Sequence, residues 1–287
     1  MQNKHTMSYM DATGVIEYKM TNNYMFRFIL QKNPKVLKGL IASLLHLTPS
    51  EIKKVEIRNP INLSENVAGK EFILDIEVML NDNTLVNLEM QVANEHNWPE
   101  RSLSYACRSF DNLFQGQRYE EAMHVIHIGF LDFTLFDDAP EFYSEYKMTN
   151  TRNHRIYSDK FILRVVNLNC IRLATEEDKF YQIDYWARLF KAKTWEDIKM
   201  LVKDNDYLQE AAESLYIANA DEMVRQQCRA RADAERRERT LIRDLQIAKE
   251  KISKHQEELA AKEATIILKD KQLLELQAKL AELEQRN

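Results

Sequence analysis

Two acidic residues and an amide occupy polar positions of a predicted β-hairpin. Residues 72–78 and 86–91 alternate apolar and polar side chains with a period of two, which is typical of half-buried strands. Asp75 lies at a polar position of the first arm, and Glu89 and Gln91 lie at polar positions of the second. Two carboxylates side by side repel each other unless a cation sits between them. The pattern is therefore compatible with a site for a hard divalent ion, which prefers oxygen ligands. The alternative is that Asp75 and Glu89 are plain solvent-facing residues of an amphipathic hairpin.

The register of the hairpin decides whether the two acids meet. In one register Leu80 pairs with Thr84, and residues 81–83 form the loop. Asp75 then faces Glu89. Such a loop usually needs a residue at positive φ, which Asn and Asp tolerate. A two-residue Asp-Asn turn would instead scatter the acids across both faces of the hairpin. We favour the first register.

The elements around the hairpin must position these residues. Helical periodicity is predicted in residues 20–46 (with a break at Asn33-Pro34), 97–113, 176–190 and 194–201, and further strands in residues 125–131, 141–150 and 160–168. The strand at residues 125–131 is almost continuously apolar, so we expect it to be buried on both faces. This order predicts an α/β domain with a mixed central sheet flanked by helices.

The composition changes after residue 205. We predict an N-terminal tail at residues 1–17, an α/β domain at 18–205 and a long charged helix at 206–287, solvated over residues 206–240. Apolar residues then recur every seven positions, at Leu245, Ile252, Leu259, Ile266, Leu273 and Leu280. In a coiled coil, the a and d positions of each heptad are both apolar. Only the last two heptads combine the a-position residue with a leucine at d, at Leu276 and Leu283. We expect a homo-oligomer through this coiled coil; the alternative is a lone amphipathic helix, or one packed on its own domain.

An ordered series of blocks, with the hairpin among them, resembles the PD-(D/E)xK nuclease superfamily. The nearest resemblance is to the bacterial recombination-promoting nuclease and transposase family. The other blocks are residues 21–27, Lys70, and residues 101–110, 116–119, 125–131 and 154–160, within a span of roughly residues 18–240. The resemblance implies a restriction-endonuclease-like fold and a metal-dependent DNA endonuclease linked to recombination or transposition. The alternative is a catalytically degenerate member that acts as a coiled-coil interaction or DNA-binding module.

The resemblance also implies roles for the hairpin residues. Asp75 and Glu89 would be ligands of Mg²⁺ or Mn²⁺, and the Met90 carbonyl would complete the protein ligands. Gln91 stands where the superfamily usually has a Lys. An amide is no base and has no charge, but it can orient water and donate a hydrogen bond to developing negative charge. One departure favours the degenerate alternative, because the family's first helix usually has an acid where this chain has Asn23.

Three further residues are expected to bind the substrate. Arg101 and Tyr105 are four positions apart and therefore share one helical face. The resemblance puts that face beside the metal site, where Arg101 would pair with a phosphate and Tyr105 would hydrogen-bond Gln91 or a water. Lys70, just before the first arm, would reach a phosphate or simply solvate the edge.

The composition argues against a zinc site and a membrane helix, and it limits where this protein could bind DNA. Three widely separated cysteines, without zinc spacing, predict free thiols in a reducing cytoplasm, and no apolar run is long enough for a membrane helix. The net charge of −5 means that any DNA footprint must be local. Candidate cations are Lys53, Lys54, Arg58, Arg101, Arg108, Arg118, Arg152, His154, Arg155 and Lys160, each of which is otherwise an ordinary surface charge. His124 and His127 are predicted to be ordinary core or surface residues on opposite faces of a strand.

Overall fold

A mixed sheet organises the protein. The computed structural model describes residues 8–59, 76–111, 113 and 116–284, and the statements below concern these residues. Six strands lie in the order β1-β2-β3-β4-β6-β5. Their bounds are β1 (Val55–Ile57), β2 (Ile76–Leu80), β3 (Thr84–Gln91), β4 (His124–Leu131), β5 (Tyr143–Lys147) and β6 (Phe161–Asn167). β4 is parallel to both β3 and β6, and the other neighbours are antiparallel.

The described residues also form eight α-helices. They are α1 (Asn23–Lys32), α2 (Pro34–Leu45), α3 (Trp98–Phe110), α4 (Glu176–Phe180), α5 (Ile183–Lys191), α6 (Trp195–Leu201), α7 (Asp206–Ala220) and α8 (Glu222–Glu284). The predicted break between the first two helices is confirmed. Asn33 caps α2 by accepting hydrogen bonds from two backbone N–H groups, and Pro34 occupies the first turn, where no N–H is needed.

The two faces of the sheet bury different cores. On one face, α1 and α5 pack against β4 through Phe26, Phe190 and Phe130, whose ring centroids lie 5.2–5.8 Å apart. On the other face, α3 covers β4 and β6 through two smaller apolar clusters. Polar residues of β3 are buried on this second face. The fold is therefore the predicted mixed α/β class, and α3 is the helix that covers the polar side of the hairpin.

The register of the β2–β3 hairpin is the one that we favour from the sequence. Leu80 pairs with Thr84, and Ile76 pairs with Leu88. The loop between the strands contains Asn81 and Asp82 at φ 50° and 61°, in the left-handed region that these residues tolerate. Asp75 lies outside the described residues.

The C-terminal part of the chain differs from its prediction. Contacts divide the chain after Glu235 into two compact units. The first unit includes α7, whose Leu208, Ala211, Ala212 and Leu215 are fully buried. The expected solvated helix is therefore wrong for residues 206–220, because alanines spaced along one face allow close packing in the core.

The second unit, Arg236–Asn287, contains most of α8. Apolar heptad side chains of this segment are exposed by 56–65% at Leu245, Ile252, Leu259, Ile266, Leu273 and Leu276. The side chains of Leu280 and Leu283 lie outside the described residues. Among the helices of the described chain, none combines the length and the apolar character that crossing a membrane requires.

Candidate active site

A buried polar cluster lies between the sheet and α3. It contains Asn87 and Glu89 from β3 and His127 from β4. The parallel register places Asn87 beside His127 and Glu89 beside Gly129. Because side chains alternate between the faces of a strand, all three polar groups point to the same face. Glu89 is 5% exposed and His127 is fully buried, so both ionisable groups are largely removed from water.

Arg101 of α3 holds the Glu89 carboxylate. Its Nε donates a hydrogen bond of 2.8 Å to Glu89 Oε1. Burial alone would lower the pKa of Arg101, but the charge and the hydrogen bond of Glu89 raise that pKa above its ordinary value. A buried carboxylate is costly without an opposite charge and a hydrogen bond, and Arg101 supplies both. The side chain of Arg101 is still 33% exposed, so part of the guanidinium faces solvent.

His127 is a neutral member of the cluster. Burial, with a smaller contribution from the charge of Arg101, lowers the pKa of His127 to about 4. Its Nδ1 lies 3.1 Å from Asn87 Nδ2, and its Nε2 lies 3.6 Å from Glu89 Oε2. If Asn87 donates to Nδ1, the ring proton is on Nε2 and faces the carboxylate, which is the electrostatically favoured tautomer. His127 is thus a buried core residue, which is one of the two predicted outcomes, and it also lies beside Glu89.

Arg101 and Tyr105 lie on one face of α3, as their spacing predicts. The Arg101 guanidinium carbon lies 5.5 Å from the centre of the Tyr105 ring. That ring is nearly parallel to His127, at 6.3 Å between centroids and 10° between planes. Tyr105 therefore separates the histidine from solvent and supports the arginine.

A glycine brings the start of α3 onto the sheet. Gly129 neighbours Glu89 in the register, and Trp98 opens α3. An ideal Cβ at residue 129 would lie 2.0 Å from Trp98 Cζ2, so any larger residue would collide with the indole. The missing side chain lets Trp98 lie against β4, one turn before Arg101. We had not identified Gly129 or Trp98 from the sequence, since their contact joins elements that are far apart in the chain.

Gln91 lies at the end of β3, beyond Glu89. Its amide nitrogen donates to the carbonyl of Ala93 at 3.0 Å and to Glu95 Oε1 at 3.2 Å. The expected bond between Gln91 and Tyr105 is not among the contacts of the described residues. The carbonyl of Gln91 accepts from the Asp132 N–H of the chain that continues β4. Because successive carbonyls of a strand point to opposite sides, that of Met90 points to the β2 side of β3.

The first helix reaches the hairpin through a neighbouring loop. Arg27 of α1 is buried and donates to the carbonyl of Asn59. The side chain of Asn59 in turn accepts the backbone N–H of Glu77 in β2 at 2.9 Å. Asn23, one turn before Arg27, is also buried, and its Oδ1 has no hydrogen-bond partner among the described residues. An uncharged amide thus occupies the position at which an acid was expected.

The donor atoms of the site suit a hard divalent ion only in part. Glu89 offers carboxylate oxygens, the ligands that Mg²⁺ prefers, and its Oε1 accepts a hydrogen bond from Arg101. Within the described ranges, no three His, Cys, Asp or Glu residues are grouped to hold a metal. Asp75 and Lys70, two of the predicted site residues, lie outside the described residues.

The mixed sheet, the antiparallel hairpin that leads through α3 into a parallel strand, and the acid in the second arm define a restriction-endonuclease-like fold. Residues 20–262 match the sequence model of the PD-(D/E)XK nuclease family transposases. The chain belongs to this family, which supports a function in nucleic-acid cleavage or transposition. No curated protein and no solved structure gives a significant match.

Proposed function

We propose that this protein is a metal-dependent DNA endonuclease, with Asp75 and Glu89 as ligands of Mg²⁺ or Mn²⁺. The observation that carries the proposal is the buried Glu89 carboxylate in the second arm of the hairpin. The register supports the pairing of the two acids, since extending it by one residue beyond Ile76 and Leu88 sets Asp75 opposite Glu89. Membership of a nuclease family makes a phosphodiester the expected substrate.

The remaining site residues have complementary roles in the proposal. A bound ion would supply polarisation of the phosphoryl oxygen and a more acidic water. Glu89 contributes negative oxygens, and the Met90 carbonyl, on the β2 side of its strand, contributes a neutral one. Gln91 orients water or donates a hydrogen bond to the negative charge of the transition state.

Arg101 connects the acid to the substrate. One of its five N–H donors is used by Glu89, and the exposed part of the guanidinium can contact a phosphate. The Tyr105 ring packs against that guanidinium. Lys70 would add a second, flexible cation near the first arm. His127 and Asn87 position the carboxylate from behind and do not touch the substrate.

Plasmid cleavage tests the proposal. Purified protein with Mg²⁺ should nick or linearise supercoiled plasmid, and an excess of EDTA should stop the reaction. Asp75→Asn and Glu89→Gln keep the side-chain shape and remove a charged ligand, so each should lower the rate by at least two orders of magnitude. Glu100→Gln makes the same chemical change on an exposed position of α3 and should cleave like the wild type. Equal background cleavage by all four proteins would refute the enzyme proposal.

A second candidate function is a nuclease fold without cleavage activity that binds DNA or a partner through α8. The buried amide of Asn23 in α1 favours it, because it removes a negative charge that could help to hold the metal. The same proteins discriminate the two functions. Binding of labelled DNA that is unchanged by Asp75→Asn, without cleavage in any metal, would support the second candidate.

We also propose that the protein forms a homo-oligomer through α8. Its heptad side chains are largely exposed in a single chain, and leaving such a stripe in water costs about 25 cal/mol per Å² of apolar surface. A parallel or antiparallel partner helix would bury it. Two sites held as a pair would suit cleavage of both strands of a duplex.

A further inference from the structure

A short exposed hairpin extends the edge of the sheet that lies farthest from β1. Residues 148–157, here called the basic hairpin, connect β5 to the segment before β6, and all ten are exposed. Its two arms are joined by the bridge between Thr149 and Ile156 and by a 2.9 Å hydrogen bond from the Tyr157 N–H to the Met148 carbonyl. The hairpin contributes no buried side chain, so the core does not explain its composition.

The tip of the basic hairpin is held by local hydrogen bonds. Asn150 Oδ1 accepts from the backbone N–H groups of Arg152 and Asn153 at 2.9 and 3.3 Å. The N–H of Asn150 donates to the Arg155 carbonyl at 2.9 Å, and His154 adopts a left-handed φ of 57°. These bonds shape the turn before any partner binds, which reduces the ordering cost of an interaction.

The tip is positively charged within an acidic protein. Residues 146–158 contain no Asp or Glu, whereas the whole chain has a net charge of −5. Arg152, His154 and Arg155 form no ion pair with any described residue. The guanidinium charges of Arg152 and Arg155 are therefore available to an outside partner.

Three of the other candidate cations are already engaged. Lys54 pairs with Asp82 at 2.6 Å, and Lys160 donates to the carbonyls of Glu120 and Ala122. Arg118 lies 3.5 Å from Glu121. Among the basic groups that the sequence singles out, those of the basic hairpin thus combine exposure, clustering and the absence of a neighbouring acid.

Apolar surface accompanies the charge. The side chains of Met148, Ile156 and Tyr157 are 52%, 47% and 83% exposed. Guanidinium groups bind phosphates through charge-assisted hydrogen bonds, and an exposed aromatic ring can pack on a sugar or a base. A two-stranded ribbon of this kind also has the width to enter the major groove of a duplex.

We infer that the basic hairpin is a sequence-independent contact for duplex DNA, separate from the cluster around Glu89. β5 and β3 are three strand spacings, or about 14 Å, apart across the sheet. Glu89 is level with Ser144 of β5, and the basic hairpin begins four residues farther on, which adds about 13 Å along the strands. One duplex of a few helical turns could extend over both regions. The choice of DNA as the polyanion rests on the proposed function. The affinity of the basic hairpin requires neither the metal nor Glu89.

Fluorescence anisotropy with a labelled 30-base-pair duplex tests this inference. The full-length protein is titrated in EDTA, so that binding is measured without cleavage, at several KCl concentrations between 50 and 200 mM. Each lost phosphate contact should reduce the slope of log affinity against log salt by about 0.9. Arg152→Gln/Arg155→Gln should therefore reduce the slope by about 2 and weaken binding roughly 10- to 100-fold near 0.1 M salt.

A matched variant controls for net charge. Arg172→Gln/Lys203→Gln also removes two exposed cations, but from outside the basic hairpin, and should bind nearly as the wild type does. Thermal unfolding should show that both double variants are folded. The inference is overturned if the wild type does not bind the duplex, if both double variants lose affinity equally, or if neither does. Competition by poly-glutamate as effective as that by DNA would also overturn it.

The outcome is separable from that of the proposed function. Glu100→Gln should retain the duplex affinity of the wild type within about threefold, because that substitution changes one exposed carboxylate and leaves the basic hairpin intact. If the wild type never cleaves plasmid but the hairpin variant still loses affinity, the enzyme proposal fails and the hairpin inference stands. If the wild type cleaves plasmid but the hairpin variant keeps full duplex affinity, the hairpin inference fails and the enzyme proposal stands.

Discussion

Replacing Gly129 by Ala should separate α3 from the sheet at the point where that helix begins. The added Cβ would lie 2.0 Å from Trp98 Cζ2 and 2.4 Å from Cη2, whereas ordinary contacts begin at 3.4 Å. The indole would have to retreat by about 1.4 Å from a position where it is only 3% exposed. Overpacking of a core typically costs about 1–3 kcal/mol, and we expect Gly129→Ala to lower the free energy of unfolding by that amount.

A double-mutant cycle identifies the atoms responsible. Cζ2 and Cη2 belong to the six-membered ring of the indole, and Trp98→Phe shortens the side chain at that end. That substitution leaves a cavity and should itself cost roughly 1–3 kcal/mol. Gly129→Ala should then be almost neutral in the Trp98→Phe background, so the coupling free energy should be at least about 1 kcal/mol.

Urea unfolding of the four proteins measures the cycle. Each kcal/mol should also lower the melting temperature by about 2–4 °C in a unit of this size. Gly39→Ala is a matched control, because its Cβ would clash with Tyr207 at 2.6 Å and not with Trp98. Gly39→Ala should lower the free energy of unfolding by the same amount in the wild type and in Trp98→Phe. Additive effects of Gly129→Ala and Trp98→Phe, or a wild-type stability for Gly129→Ala alone, would refute the packing argument.

Three other perturbations have defined outcomes. Arg101→Ala should lower the free energy of unfolding in urea by about 1–3 kcal/mol, because Glu89 stays buried without its partner. The same substitution should weaken DNA binding equally for all sequences, and a sequence-selective loss would argue against the phosphate contact. For His127, the folded pKa of about 4 lies below the ordinary histidine pKa of 6.5, so its stabilising contribution is complete above pH 6.5 and is lost as the pH falls toward 4. His127→Gln should therefore lose less stability than the wild type over that interval, by up to roughly 3 kcal/mol, and parallel pH profiles would contradict a neutral buried imidazole. Ending the chain before Leu245 should convert a dimer or higher oligomer to a folded monomer in light scattering, whereas a full-length protein that is monomeric at tens of micromolar would exclude the coiled coil.

Local patterns in the sequence were sufficient for most of the elements and for the hairpin, but they did not predict the breaks that divide the helices expected at residues 176–190 and 206–287. The alternation of side chains defines the two arms, and the Asn-Asp loop selects the register, because few residues tolerate a positive φ. The Asn33-Pro34 pair separates α1 from α2 for an equally local reason, a side-chain cap followed by a residue without an N–H. The ordered blocks predict the family that the sequence comparison confirms. The placement of Asp75 and its metal stays a prediction.

Long-range pairing decided the rest. His127 joins Glu89 only because β4 lies parallel to β3 in one particular register, and no local pattern specifies which strands become neighbours. The charge pattern after residue 205 suggests a solvated helix, yet α7 is buried because a complementary surface of α1 and α2 exists to cover it. The basic residues are equivalent in the sequence; which of them remain free depends on where acids and carbonyls lie in space. Secondary structure follows from interactions between near neighbours in the chain, whereas burial and pairing of charges depend on groups that only the tertiary fold brings together.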